Sequence, residues 1–232
     1  MLVLLPNLLD SAGDHHLQLP AAVDGVMKTI DGLIAESEGG ARRYLSRFNL
    51  SKKVQHVPVM LLNKNTKPKE YDFMLEPLLE GQTWGLISDA GLPCLADPGA
   101  GLVLRARERK VKIEAISGPS SISLALMQSG LGGQHFCFRG YIAKDPQRRK
   151  NDLRRWQTGA HQEKSTQIFI EAPYRNQYAF EECLNTLDDK TLLCVATCLT
   201  TPEESVTTHL ISHYKKNPLL NLNKKPTIFL FR

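Results

Sequence analysis

The strongest constraint on this chain is an alternation. Short apolar runs, too brief for helices, are separated by longer stretches with helical apolar spacing. The runs cover residues 2–5, 32–35, 54–61, 84–88, 111–116, 136–141, 167–170, 192–196 and 227–231. Between them, the periodicity predicts helices over 21–30, 41–48, 70–80, 101–110, 120–129, 145–157 and 175–186. Strands alternating with helices give an α/β architecture, with largely parallel pairing in the first half. Pro98 stands just ahead of one predicted helix, Pro119 and Ser120 open the next, and Gly130, Gly132 and Gly133 close it. The polar stretch NKNTKPKE, residues 63–70, reads as an exposed loop, and the chain carries no internal repeat or low-complexity tract.

Composition narrows the classes. With 232 residues, 42% of them hydrophobic and 23% charged, the chain is long enough to bury a full core and is not disordered. A formal charge of +5 permits a polyanionic partner such as RNA without requiring one. The five cysteines include no C-x-x-C pair, so neither a disulfide framework nor a zinc site is expected, and a reducing cytoplasm fits best. KTLLCVATCL reads as a buried strand rather than a metal-binding helix. The N-terminal run lacks a basic segment and breaks at Pro6, too early for a signal peptide or membrane span. No metal is expected at the seven histidines.

The loop ISDAGLPCLADPGAG, residues 87–101, follows one of the strand runs. Ligands of open α/β sheets gather at the carboxyl ends of strands, so its position makes it a candidate site. It does not suit phosphate, because Pro93 and Pro98 remove backbone donors and Asp89 and Asp97 repel anions. Carboxylates and carbonyls suit a ligand that brings positive charge or amino and hydroxyl donors. The alternative is a tight strand-to-helix turn whose aspartates make local caps. A second loop of this kind, ISGPSSISLALMQSGL at 116–131, places Ser120 and Ser121 at a helix start, to cap it or to bond a ligand.

Together these two stretches resemble the paired signature of the tetrapyrrole methylase superfamily, and most closely its branch of small-subunit ribosomal RNA 2′-O-methyltransferases, which read SDAGTP, DPG and PGPSA followed by SGL. FCFRGYIAKDPQRRKNDLRRW and IFIEAPYRN resemble further elements of that branch. The resemblance implies two α/β domains, residues 1–117 and 118–232, with the cofactor cleft between them and a hinge near 117–120. It also implies an S-adenosyl-L-methionine-dependent methyltransferase, usually a homodimer. The family's cofactor positions map onto Ala90, Gly91, Leu92 and Leu95 with Asp89 adjacent, onto Ser120 and Ser121, and onto Glu171. Pro6, Leu199, Pro226 and Thr227 are carried over on weaker matches. Asp89 and Glu171 are candidates for a general base by location alone, so the catalytic residue is left unassigned.

Two segments depart from the branch. Where it reads PTPIGN, this chain has Pro6 to Ser11 with no glycine before Gly13. Where it reads AEDTRHTRRLL, this chain reads AESEGGARRYL, which keeps Glu36, Arg42 and Arg43 but exchanges two potentially cationic side chains for Glu38, Gly39 and Gly40. Arg42, Arg43 and Arg175 are the candidate substrate contacts. RRKNDLRRW places Arg148, Lys150, Arg154 and Arg155 with Trp156 on a predicted helix, either an RNA-facing stripe or an ordinary solvated face. Three functions follow: a methyltransferase acting on ribosomal or other structured RNA, one acting on a small molecule such as a tetrapyrrole, or a noncatalytic protein that retains the cofactor site.

Overall fold

In the computed structural model, which describes residues 1–217 and 221–232, the alternation resolves into two sheets. The chain divides into two units, Met1–Ser120 and Ser121–Arg232.

The first unit is built on five parallel strands, Leu2–Leu4 (β1), Gly32–Ala35 (β2), Val59–Leu61 (β3), Trp84–Leu86 (β4) and Ile113–Ala115 (β5), in the order β3-β2-β4-β1-β5. Its three central strands are apolar without alternation because both faces are covered. Val3, Leu5 and Leu33 pack against Val23 and Met27 of helix Ala22–Thr29 (α2) and Tyr44 and Leu45 of Glu38–Leu45 (α3). The short helix His15–Gln18 (α1) precedes α2. On the opposite face, Leu2, Ile34 and Leu86 meet Leu75 and Leu78 of Tyr71–Leu79 (α4) and Leu102 and Ala106 of Ala100–Glu108 (α5). Every strand is parallel, so the loops after β1, β2, β4 and β5 emerge at the same edge of the sheet.

The second unit opens with helix Ser121–Ser129 (α6) and holds a mixed sheet of Phe136–Tyr141 (β6), Thr166–Ile170 (β7), Leu192–Thr197 (β8), Ser205–Leu210 (β9) and Thr227–Phe231 (β10), ordered β6-β7-β10-β8-β9. Only β6 and β7 pair in parallel; β10 runs antiparallel between β7 and β8. Phe169 and Phe229 stack at 5.0 Å, with Trp156 of helix Pro146–Glu163 (α7) and Phe180 of Asn176–Thr186 (α8) in the same core. Helix Ile211–Lys216 (α9) adds Ile211 and Tyr214 to it.

Several expected boundaries shift for physical reasons. The run at 54–61 is a 3-10 turn, Val54–His56, followed by β3, with Pro58 between them. α3 begins before residue 41, because the Ser37 hydroxyl caps it by accepting from the Gly40 N–H, and two glycines of poor helix propensity conceal that start. α7 continues past 157 and stops at Lys164, which takes a left-handed φ of 50°. β9 was not expected because it is an edge strand, half in solvent and without an apolar run. Among the described residues, no helix is long and apolar enough to cross a membrane.

Candidate functional site

In the first unit the β4 loop lies between two others, because β4 is flanked by β2 and β1. One side chain, Asn7, ties it to the β1 loop. The Asn7 carboxamide donates to the carbonyls of Ser88 (2.9 Å) and Asp89 (3.1 Å), and its backbone N–H donates to the Gly91 carbonyl at 2.8 Å. Asn7 is itself held by the Leu8 N–H and the Arg47 guanidinium, which also donates to the Ser11 carbonyl. Partial burial lowers the pKa of Arg47. Ser88 donates to the Ala90 carbonyl. The carbonyls of 88 to 91 therefore each accept a bond from within the protein, and the charged groups that the loop offers a cationic ligand are carboxylates.

Those carboxylates cluster. Asp89 Oδ1 accepts from the Ser37 hydroxyl at 3.1 Å, and the Asp89 N–H donates to Glu36 Oε1 at 3.3 Å. Burial, then the charges of Asp97 and Asp89, raises the pKa of Glu36; burial and then Asp89 raises that of Asp97. The seat of Asp89 depends on Gly40, where a Cβ would stand 2.3 Å from Asp89 Oδ1. Within the β4 loop, Cys94 and Ala96 adopt left-handed φ values of 67° and 68°, strain of a kind that concentrates at functional loops. The Cys94 thiol is pushed up to about 11 by burial and Asp97, which makes it a poor nucleophile at neutral pH.

The other expected residues of this unit fall around the loop in different ways. Ala90 and Leu95 are exposed, Leu92 is half-buried, and Gly91 takes a φ of 71°. Ser120 is buried, and Pro119 just ahead of it has its carbonyl 3.6 Å from where a Gly91 Cβ would stand. Pro6 packs into the space that a Gly118 side chain would fill, and its carbonyl accepts from the fully buried Tyr44 hydroxyl. Arg42 is held by Glu38 and the carbonyls of Val54 and Val57 at 2.7 and 2.8 Å, so its guanidinium fastens α3 to the following loop. Arg43 is exposed and has no ion pair among the described residues.

The expected residues of the second unit, apart from Ser121 at the first turn of α6, gather at one end of its sheet. Antiparallel pairing brings the carboxyl ends of β7 and β8 beside the start of β10. Thr227 is in register with Thr197, the Cys198 N–H donates to the Pro226 carbonyl, and Leu199 is buried next in the chain. Cys198 and Thr200 take left-handed φ values of 49° and 69°. Glu171, whose side chain is 0% exposed, pairs with Arg175 and accepts from the Ala172 N–H through Oε1. That pairing holds the Arg175 pKa above its ordinary value. The buried atoms Glu171 Oε2, Arg175 Nε and Asn176 Oδ1 have no hydrogen-bond partner among the described residues. Asn176 donates to the Lys225 carbonyl, which ties this turn to the segment before β10.

Sequence reasoning passed over Asn7, Tyr44 and Asn176, and named Asp97 only among the loop carboxylates that repel anions. The placing of an asparagine directly after β1 and another at the start of α8 was the available signal, since a carboxamide is suited to cross-linking backbone groups. Two histidine groupings also went unnoticed. His209 and His213 do have H-x-x-x-H spacing and stack at 4.2 Å, and Asp14, His15 and His16 place three potential ligand atoms within 4.8 Å of one another. Asp14 is engaged as the cap of α1, and His15 packs against Phe48.

The family model for Tetrapyrrole (Corrin/Porphyrin) Methylases matches residues 35–213. The chain is 30% identical over 162 residues to a ribosomal RNA small subunit methyltransferase I of Xylella fastidiosa, covering 70% of this chain and 55% of that protein. It is 31% identical over 167 residues to a protein of the same name from Halalkalibacterium halodurans, covering 72% of this chain and 52% of that one. The chain thus spans little more than half the length of these relatives. Its fold is similar to that of uroporphyrin-III C-methyl transferase from Thermus thermophilus complexed with S-adenyl homocysteine, with a TM-score of 0.59, 15% identity and coverage of 99% of this chain and 96% of that one.

Proposed function

The chain belongs to the tetrapyrrole methylase family, and from that premise we propose that it is an S-adenosyl-L-methionine-dependent methyltransferase acting on ribosomal or other structured RNA. The observation that carries the cofactor assignment is the unpartnered Glu171 Oε2. A buried acceptor left without a donor is costly, and a hydroxyl or amino group of a ligand would relieve it. The acidic set of Glu36, Asp89 and Asp97 supports the same reading, since the cofactor carries an ammonium and a sulfonium. Asp89 to Leu92 with Leu95 and Ser120, and Ser121, Glu171, Leu199, Pro226 and Thr227, are the residues proposed to hold it.

When bound, the cofactor supplies an electrophilic methyl group for in-line displacement. The chain's part is to orient: Asn7 fixes the path of 88 to 91, and Arg175 fixes Glu171. The RNA acceptor is supported by the relatives' names. A small-molecule acceptor is the second reading, favoured by Gly39 and Gly40, which stand beside Glu38 where the RNA branch carries two potential cations. A homodimer, supported by family membership, and a cytoplasmic setting, supported by five free cysteines, belong to the same proposal.

Calorimetric titration with S-adenosyl-L-methionine tests the cofactor assignment. Saturable binding is expected, and Gly91→Trp and Ser120→Trp are each expected to abolish it while the circular dichroism spectrum is retained. No binding at millimolar cofactor refutes the reading. Nucleoside mass spectrometry of ribosomal RNA from a deletion strain separates the acceptors: loss of one methylated nucleoside supports RNA, and an unchanged profile favours the small molecule. Light scattering reads the dimer.

A further inference from the structure

The start of α3 gives RNA little to hold beyond the exposed Arg43. Segment 37–40 contains no cation, Arg42 is engaged within the fold, and the Asp89 carboxylate stands at the start of α3. The opposite charge is concentrated on α7, which holds Arg148, Arg149, Lys150, Arg154 and Arg155 against only Asp152 and Glu163. Two of these are accounted for by the fold: Arg149 is buried beside Glu182, at 3.8 Å, and Arg155 pairs with Asp152. The other three have no acidic partner among the described residues, nor does Lys144 just ahead of the helix. Arg105, by contrast, is paired with Asp72 and Glu108.

This arrangement works against the helix. α7 carries cations in its first turn, where the macrodipole favours acids, and the acid at that end is its cap, Asp145, which accepts from the Arg148 N–H. Lys150 and Arg154 repel each other at i,i+4 spacing. Trp156 is not part of the exposed face, because it is buried in the core. An exposed aromatic near the helix in sequence is Tyr141, 61% accessible at the end of edge strand β6 and three residues before Lys144. Cations along a helix with an accessible ring at its approach suit a chain of phosphates carrying bases that can stack.

We propose that Tyr141, Lys144, Arg148, Lys150 and Arg154 form an RNA-docking surface, in which the cations follow the phosphate backbone and Tyr141 stacks on an unpaired base. The inference rests on the RNA reading of the function and assigns phosphate contact to α7 in place of the segment around Ser37 to Gly40.

The test measures fluorescence anisotropy of a labelled RNA hairpin with a single-stranded loop, across a salt series, alongside calorimetry with S-adenosyl-L-homocysteine. The triple variant Arg148→Glu, Lys150→Glu, Arg154→Glu is expected to bind RNA at least about tenfold more weakly, with a salt dependence shallower by about three phosphate contacts, and S-adenosyl-L-homocysteine affinity unchanged. Tyr141→Ala is expected to weaken RNA binding without changing the salt slope. If the triple variant loses S-adenosyl-L-homocysteine binding or its circular dichroism spectrum, the milder Arg148→Gln, Arg154→Gln pair decides by the same measures. RNA affinity equal to that of the parent overturns the proposal, as does a parent protein that binds S-adenosyl-L-homocysteine but not RNA. Equal affinity for the hairpin, duplex DNA and phosphatidylglycerol vesicles, insensitive to Tyr141→Ala, also overturns it and assigns the face to polyanions in general. A parent that binds neither RNA nor S-adenosyl-L-homocysteine defeats the methyltransferase reading as well.

Discussion

The two candidate loops, one in each unit, handle their polar groups in opposite ways. After β4, the carbonyls of Ser88, Asp89, Ala90 and Gly91 are bonded within the protein, mostly through Asn7, and the exposed chemistry is carboxylate. After β7, the turn from Glu171 to Asn176 leaves three buried atoms without partners among the described residues. The first is finished before a ligand arrives and contributes shape and charge. The second holds unmet hydrogen-bonding capacity, the mark of a site completed by what binds it.

Arg175→Met tests the second loop hardest, because it strands the Glu171 carboxylate in a fully buried position. A loss of about 3 kcal/mol is expected by urea unfolding, the low end for a broken buried pair, since a fifth of the Arg175 side chain remains in solvent. A loss no greater than that of an exposed pair would mean that Glu171 has another partner and the contrast is false. Asn7→Ala tests the first loop. One buried and one part-buried carbonyl lose their donor, at a cost of about 2 kcal/mol, and amide exchange at 88 to 91 should accelerate. Unchanged exchange there would show that Asn7 does not hold the loop.

Gly40→Ala inserts a methyl into the Asp89 seat and should cost about 1 kcal/mol in thermal unfolding. The smallest effect belongs to Asp97→Asn and concerns pH. Asp97 has a raised pKa, so the folded protein holds that proton more tightly than the unfolded chain, and the charged form destabilises as pH rises through the raised value. The variant should match the parent at pH values below the ordinary carboxylate range and exceed its stability at neutral pH. It should also bind S-adenosyl-L-methionine more weakly if the acidic set serves a cationic ligand.

Much of this was legible in residues. The buried strands of the first sheet show as unbroken apolar runs, and the glycine, proline and aspartate content of 87–101 marks a loop of special geometry. What stayed hidden depends on partners distant in sequence. Asn7 and Ser88 are 81 positions apart, and nothing local reveals that a carboxamide bridges them. The basic character of α7 was visible, whereas the division of its cations into buried, paired and free was not, because Glu182 and Asp152 meet them only after folding. β9 was concealed by its place at the sheet edge, where half-solvated threonines replace the apolar run that reveals interior strands.

The contact between Gly40 and Asp89 also bears on how this chain can change over generations. A side chain at position 40 and the present seat of the residue 89 carboxylate exclude each other, so the effects of substitutions at the two sites will not add. A chimera that imports the α3 start of a relative must reseat that carboxylate, since the RNA branch carries an aspartate at position 89 together with a side chain at position 40. What position 40 admits thus depends on where the aspartate at 89 is seated, and not on whether it is there.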